Sequence, residues 1–144
     1  MNVRLLCLLA ASCIAACDDS SLDLPIAADP DAVTFVFKMH GDVSGVQDFR
    51  AVTSDADVID MVRAELVLSE NDRHLFIIGP IERGDGGQNL PWNWHFVPDQ
   101  WTLTEFAIEL CDGNAELVNQ DIDYWVDTVG QFCPWGSYAA QEEL

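Results

Sequence analysis

The sequence predicts an α+β fold: a small, largely antiparallel sheet covered by one or two helices and held by one disulfide. Short apolar runs with a period of two alternate with glycine- and proline-bearing turns. Two longer stretches place apolar residues at helical spacing, and two cysteines of the exported part are left to pair. A chain of 144 residues with 49% hydrophobic content is large enough for a single core, so one compact domain over residues 33–144 is expected.

The start reads MNVRLLCLLAASCIAAC, with Arg4 ahead of an apolar run and small residues before Cys17. This has the layout of a signal peptide. The run is shorter than the roughly 20 residues that span a bilayer. Ile14-Ala15-Ala16-Cys17 resembles the lipobox of bacterial lipoproteins. That resemblance implies removal of residues 1–16 and acylation of Cys17 on its sulfur and new amino group, a multi-chain anchor that holds stably. The alternative is an ordinary signal peptide, for which Ile14 suits the cleavage site less well than alanine. Residues 17–32, rich in Asp, Ser and Pro, then form an acidic tether between lipid and domain.

Val33-Thr-Phe-Val-Phe-Lys-Met has the β-branched and aromatic character of a first strand, ended by His40-Gly41. A helix is expected over about 55–68, with Ser54 as its cap and Val58, Met61, Val62 and Leu66 on one stripe; Glu65 alone is off pattern. Residues 74–83 read as a strand interrupted by Gly79-Pro80. Gly84-Asp85-Gly86-Gly87 is a turn. Trp92, Trp94 and Phe96 then fall on one strand face, and Pro98-Asp99 makes the next turn. Residues 104–110 alternate again, which predicts a strand with Phe106, Ile108 and Leu110 inward and Glu105, Ala107 and Glu109 outward. Leu117, Val118, Ile122, Trp125 and Val129 mark a second helical stretch over 114–129.

Of five cysteines, Cys7 and Cys13 leave with the leader and Cys17 carries lipid, so Cys111 and Cys133 are expected to join in an oxidising compartment. In the chain-entropy view that bridge is worth about 3 kcal/mol.

The run Asn89-Leu-Pro-Trp-Asn-Trp-His-Phe-Val-Pro-Asp, the later Glu105-Phe-Ala-Ile-Glu-Leu-Cys-Asp and the closing Phe132-Cys-Pro-Trp-Gly-Ser together resemble the BP-seventy-four N-terminal domain family. The matching positions are Trp92, His95, Pro98, Glu105, Ala107, Ile108, Glu109, Cys111, Asp112, Cys133, Pro134, Trp135 and Ser137. The chain departs from the family pattern where Trp94 and Phe96 exceed the usual Phe and Leu, where Gly113 stands for Ala, and where no Trp precedes Cys133. The resemblance implies an extracytoplasmic, disulfide-linked module without evident catalytic machinery.

Composition narrows the function. With 25 acidic against 6 basic residues and a net charge of -19, nucleic acid and bare anionic lipid headgroups are repelled. His40, His74 and His95 form no ligand-like pair, and neither Asp55-x-Asp57-x-x-Asp60 nor Asp121-x-Asp123-x-x-x-Asp127 has the glycine and terminal glutamate of a calcium loop. No metal or cofactor is therefore expected. There is no nucleophile elbow and no phosphate-binding loop. Glu105 and Glu109 on one strand would stand about 13 Å apart, too far for a glycosidase pair. Arg83-Gly84-Asp85 is an integrin-type tripeptide too short to carry weight.

The five tryptophans supply most of a core, but Trp101 falls outside the parity of its neighbours and Trp135 follows the last cysteine. Trp101 and Trp135 with His95, Glu105 and Glu109 form the expected binding surface. The leading expectation is a non-catalytic, membrane-tethered lipoprotein that binds an envelope protein or a glycan. An inhibitor of an exported hydrolase, with the residue 84–87 loop in the enzyme cleft, and a hydrolase using Glu109 or His95 are the alternatives.

Overall fold

The computed structural model describes residues 29–143. The leader, Cys17 and most of the tether lie outside the described residues. The chain forms an α+β domain whose strands are distributed over three antiparallel sheets, with the Cys111–Cys133 disulfide in place, Cα atoms 5.1 Å apart.

The first sheet has order β2-β1-β7, from β1 (Val33–Met39), β2 (Phe49–Thr53) and β7 (Ser137–Glu143). β2 and β7 were not anticipated from the sequence. Phe35 and Phe37 of β1 point into the core, where Phe37 stacks on Phe49, its partner in the β1–β2 register, at 5.5 Å.

α1 (Ala56–Leu66) packs against β7 and buries Val58, Ile59 and Val62. Its cap is Asp55, whose carboxylate accepts from the Asp57 and Val58 N–H groups, and not Ser54. Ser54 is unavailable because Asp99 takes both its N–H and its hydroxyl. Glu65, the off-pattern residue, is buried and accepts from the Leu75 N–H at 3.4 Å.

Gly79-Pro80 divides the expected 74–83 strand between two sheets. β3 (Phe76–Ile78) pairs with β6 (Thr102–Thr104), while β4 (Ile81–Arg83) pairs with β5 (Trp94–Phe96). Gly79 exchanges two backbone hydrogen bonds with Phe132, and a Cβ there would lie 2.6 Å from Trp101 Cβ. Only glycine permits that approach. Trp92, Trp94 and Phe96 are all buried, as the period of two implies, and Trp94 meets Phe49, Phe96 and Phe132.

The second helical stretch is present but divided. Asn114 caps α2 (Ala115–Gln120), Asp121 leaves helical geometry and re-caps α3 (Ile122–Tyr124), and a π-turn over Trp125–Val129 ends at Gly130 with φ 76°. The wider turn carries the buried Trp125. Gly113 faces that ring; a Cβ would approach it to 3.1 Å.

The segment 104–110 corrects the sequence expectation. β6 ends at Thr104, whose hydroxyl accepts from the Phe106 N–H and donates to the Phe106 carbonyl, closing a local turn. After irregular backbone, Glu109–Cys111 form a 3-10 turn. The expected inward set is thereby turned out, while Glu105 and Glu109 stay exposed as expected and Ala107 alone moves inward. Phe106, Ile108 and Leu110 are exposed, while Ala107 packs with Phe76 and the disulfide.

Candidate functional site

Beside this irregular segment lies an open groove of about 390 Å³ lined by His74, Phe76, Glu105, Phe106, Ala107 and Trp135. One wall comes from β3 and the residue pair leading into it, the other from the turn after β6. Trp135 sits at the end where the two cysteines meet.

The position of Trp135 follows from its backbone. Pro134 and Ser137 close a four-residue turn through the Ser137 N–H and the Pro134 carbonyl at 2.9 Å, with Trp135 and Gly136 at its tip. The Trp135 N–H donates to Asp112 Oδ1 at 2.9 Å, and the Cys133 N–H donates to the Cys111 carbonyl at 2.8 Å. Together with the disulfide these bonds tie the 105–112 segment to the 133–137 turn. The indole is left 43% exposed, and Phe106 across the groove is 83% exposed. Beside them Ile108 and Leu110 also face water. Four large apolar side chains are thus exposed on two linked segments, two of them, Phe106 and Trp135, in one groove, and clustered apolar exposure of this kind marks interaction sites.

Electrostatics are one-sided here. Each of the five basic residues among the described residues has partners elsewhere: Lys38 faces Asp48, Arg50 holds Glu143, Arg63 holds Glu142, and Arg83 spans Asp123 and Asp127. Arg73 donates to the carbonyls of Leu66, Leu68 and Ala139, joining the end of α1 to β7. Arg63 is raised in pKa chiefly by its hydrogen bonds to Glu142, and Arg83 is driven up chiefly by Asp127 and then Asp123. None of these cations is paired with Glu105 or Glu109.

Of the residues expected at a binding surface, the structure brings Glu105 and Trp135 into one groove. Trp101 is not on the surface. It is 2% exposed, edge-on to Phe35 and Phe37, with its indole N–H on the Val52 carbonyl. Its parity misled because the residues it was compared with, Phe106, Ile108 and Leu110, lie in no strand, whereas Trp101 shares the parity of Leu103, the buried residue of β6. Glu109 is exposed on the 3-10 turn and does not line the groove. His95 does not line the groove: β5 pairs with β4, so His95 stands opposite Glu82, with Nδ1 2.8 Å from the Gly84 carbonyl and its ring packed on Gly86.

Sequence reasoning missed Phe106, His74, Phe76 and Ala107 as groove residues. The legible signal was Thr104, whose hydroxyl competes for the backbone two residues on and ends a strand. The Arg83-Gly84-Asp85 tripeptide offers no free guanidinium, since Arg83 is held by two aspartates. Of the Asp121, Asp123 and Asp127 set, the last two thus hold Arg83 and Asp121 caps α3 through the Tyr124 N–H. No cluster of three or more metal-ligating side chains occurs among the described residues.

Fold and groove together define an α+β domain closed by one disulfide, with an exposed aromatic face at the bridge. A family model for the BP-seventy-four N-terminal domain matches residues 31–143, and the chain belongs to that family. No curated protein and no solved structure matches the chain significantly. The disulfide fits an oxidising, extracytoplasmic setting, and no helix among the described residues is long and apolar enough to cross a membrane.

Proposed function

We propose that this chain is a non-catalytic binding module, exported and held at a membrane by lipid on Cys17, which engages a protein of the cell envelope through the groove at Trp135 and Phe106. The observation that carries the reading is the exposure of these two aromatic rings, together with Ile108 and Leu110, on segments rigidly joined by the disulfide. Rigid aromatic area presented without an ordering cost is what interface anchors require. A glycan site would also use the aromatic rings, but the aliphatic Ile108 and Leu110 favour a protein surface. Within the groove the polar side chains are His74 and Glu105, set among aromatic rings and Ala107, a lining suited to recognition.

The test places a photo-crosslinking residue at Phe106 or Trp135 in the full chain, in cells of its native host. A control carries it at Leu90, an exposed residue of the 84–91 loop. Capture of an envelope protein from the groove positions and not from Leu90 is expected. Equal capture from all three, or none from the groove, overturns the binding reading. Mass spectrometry of the amino-terminal fragment from the same cells tests the anchor: an unmodified Cys17 refutes it.

A further inference from the structure

The chemistry of the partner can be read from what surrounds the apolar patch. Glu105 and Glu109 are interleaved with Phe106, Ile108 and Leu110, all exposed, and every basic side chain among the described residues is engaged elsewhere. These segments therefore combine greasy side chains with carboxylates that have no counter-charge among the described residues. Resting on the binding reading above, we infer that the groove takes a basic amphipathic polypeptide segment, with apolar side chains against Trp135 and Phe106 and lysine or arginine side chains against Glu105 and Glu109.

The same arrangement argues against the other occupants of an apolar face. Insertion into a bilayer would carry Glu105 and Glu109 towards the hydrocarbon along with their neighbours, at a cost that carboxylates impose wherever they enter lipid. A second copy of this chain would set one acidic rim against another, and like charges across an interface oppose association. A basic segment instead gains steering from a net charge of -19 and local pairing at the rim.

The experiment follows the Trp135 indole and Phe106 amide signals of the isotopically labelled full chain. The probes are an eight-residue peptide alternating lysine with leucine, its glutamate–leucine counterpart, phosphatidylcholine vesicles, and an N-acetylglucosamine oligosaccharide. Saturable shifts at both residues with the lysine–leucine peptide are expected. Its affinity should fall as salt rises, and should exceed that of the glutamate–leucine peptide by roughly tenfold or more. The double variant Glu105→Gln, Glu109→Gln, altered only at exposed positions, should lose about three- to tenfold of that affinity. Equal binding of the two peptides, shifts confined to other surfaces, or groove shifts given only by vesicles, by the oligosaccharide or by raising protein concentration each overturn the inference. If the peptide fails while groove crosslinks to an envelope protein persist in cells, the partner chemistry is wrong and the binding reading stands. If both fail, both fall.

Discussion

The backbone N–H of Trp135 donates to Asp112 Oδ1 at 2.9 Å, and the same oxygen receives the Gly113 N–H at 2.9 Å. One carboxylate thus bridges the segment after Cys111 to the turn after Cys133 and fixes where the indole stands. The disulfide sets how far apart the two segments can move; Asp112 sets their register.

Asp112→Ala is expected to release Trp135 without unfolding the domain. In a nitrogen-correlated spectrum the Trp135 indole signal should shift or broaden. Those of Trp92, Trp94 and Trp101, whose N–H groups are held by the carbonyls of Asp48, Ala115 and Val52, should stay in place. Asp112→Asn keeps an acceptor oxygen and should restore the signal. An unchanged Trp135 resonance in the alanine variant would mean that the bridge and turn alone position the ring.

Replacing both bridge cysteines, Cys111→Ser with Cys133→Ser, opens a connection between residues 22 apart in the chain. The unfolded chain regains the loop freedom, so stability should fall by about 3 kcal/mol. Cys111 and Cys133 are themselves fully buried against Phe76, and two hydroxyls in that place add to the loss. A thermal or denaturant midpoint unmoved by the double replacement, or by reductant on the parent chain, would show that the sheet around Phe76 holds without the bridge.

Much of this architecture was legible because period and chemistry agreed. Strand β1, the face shared by Trp92, Trp94 and Phe96, the break at Gly79-Pro80 and the Cys111–Cys133 pair all follow from local rules that tertiary structure did not oppose. The 104–110 segment misled because strict alternation is necessary for a half-buried strand and not sufficient. Thr104 closes a turn on Phe106, and Cys111 must swing to meet Cys133, so the alternating residues have no neighbouring strand to lie against. That exception is where the groove arises. β2 and β7 went unseen since short runs such as Phe49-Arg-Ala-Val-Thr acquire their meaning only from β1 between them. Trp101 shows the same limit: its burial is decided by Phe35 and Phe37, distant in sequence.

Gly79→Ala tests the closest packing point of the core. The new Cβ would meet Trp101 Cβ at 2.6 Å and Trp101 Cα at 2.8 Å, atoms that cannot turn aside. A loss of about 1–3 kcal/mol is expected from such overpacking, accompanied by a change in the near-ultraviolet dichroism of the buried indoles. Alanine at Gly136, where the nearest atom is the flexible Cε of Met39 at 3.2 Å, should cost less. Equal losses at the two sites would remove the claim that Gly79 is required by Trp101.

Asp99 links stability to acid. Its carboxylate accepts from the Ser54 N–H at 2.6 Å, from the Thr53 hydroxyl at 2.9 Å and from the Ser54 hydroxyl at 3.1 Å, so the turn between β5 and β6 holds the junction between β2 and α1. The Ser54 N–H bond above all draws the carboxyl below its ordinary value of 3.8, against the opposing effect of burial, with the two hydroxyls adding to it. A carboxyl whose folded value is depressed binds protons more readily when unfolded. Its contribution is therefore whole above 3.8 and is lost as pH falls through the lower folded value. Asp99 also has φ 61°, a left-handed conformation that asparagine tolerates and alanine resists. Asp99→Asn should keep the turn and lose about 1 kcal/mol near neutral pH, since the site is largely open to water. Asp99→Ala should lose more, having neither acceptor nor backbone preference. Denaturant midpoints of parent and Asp99→Asn, measured from about pH 6 down to about pH 2, should converge at the acid end. A gap that stays constant across that range would show that Asp99 acts through shape alone.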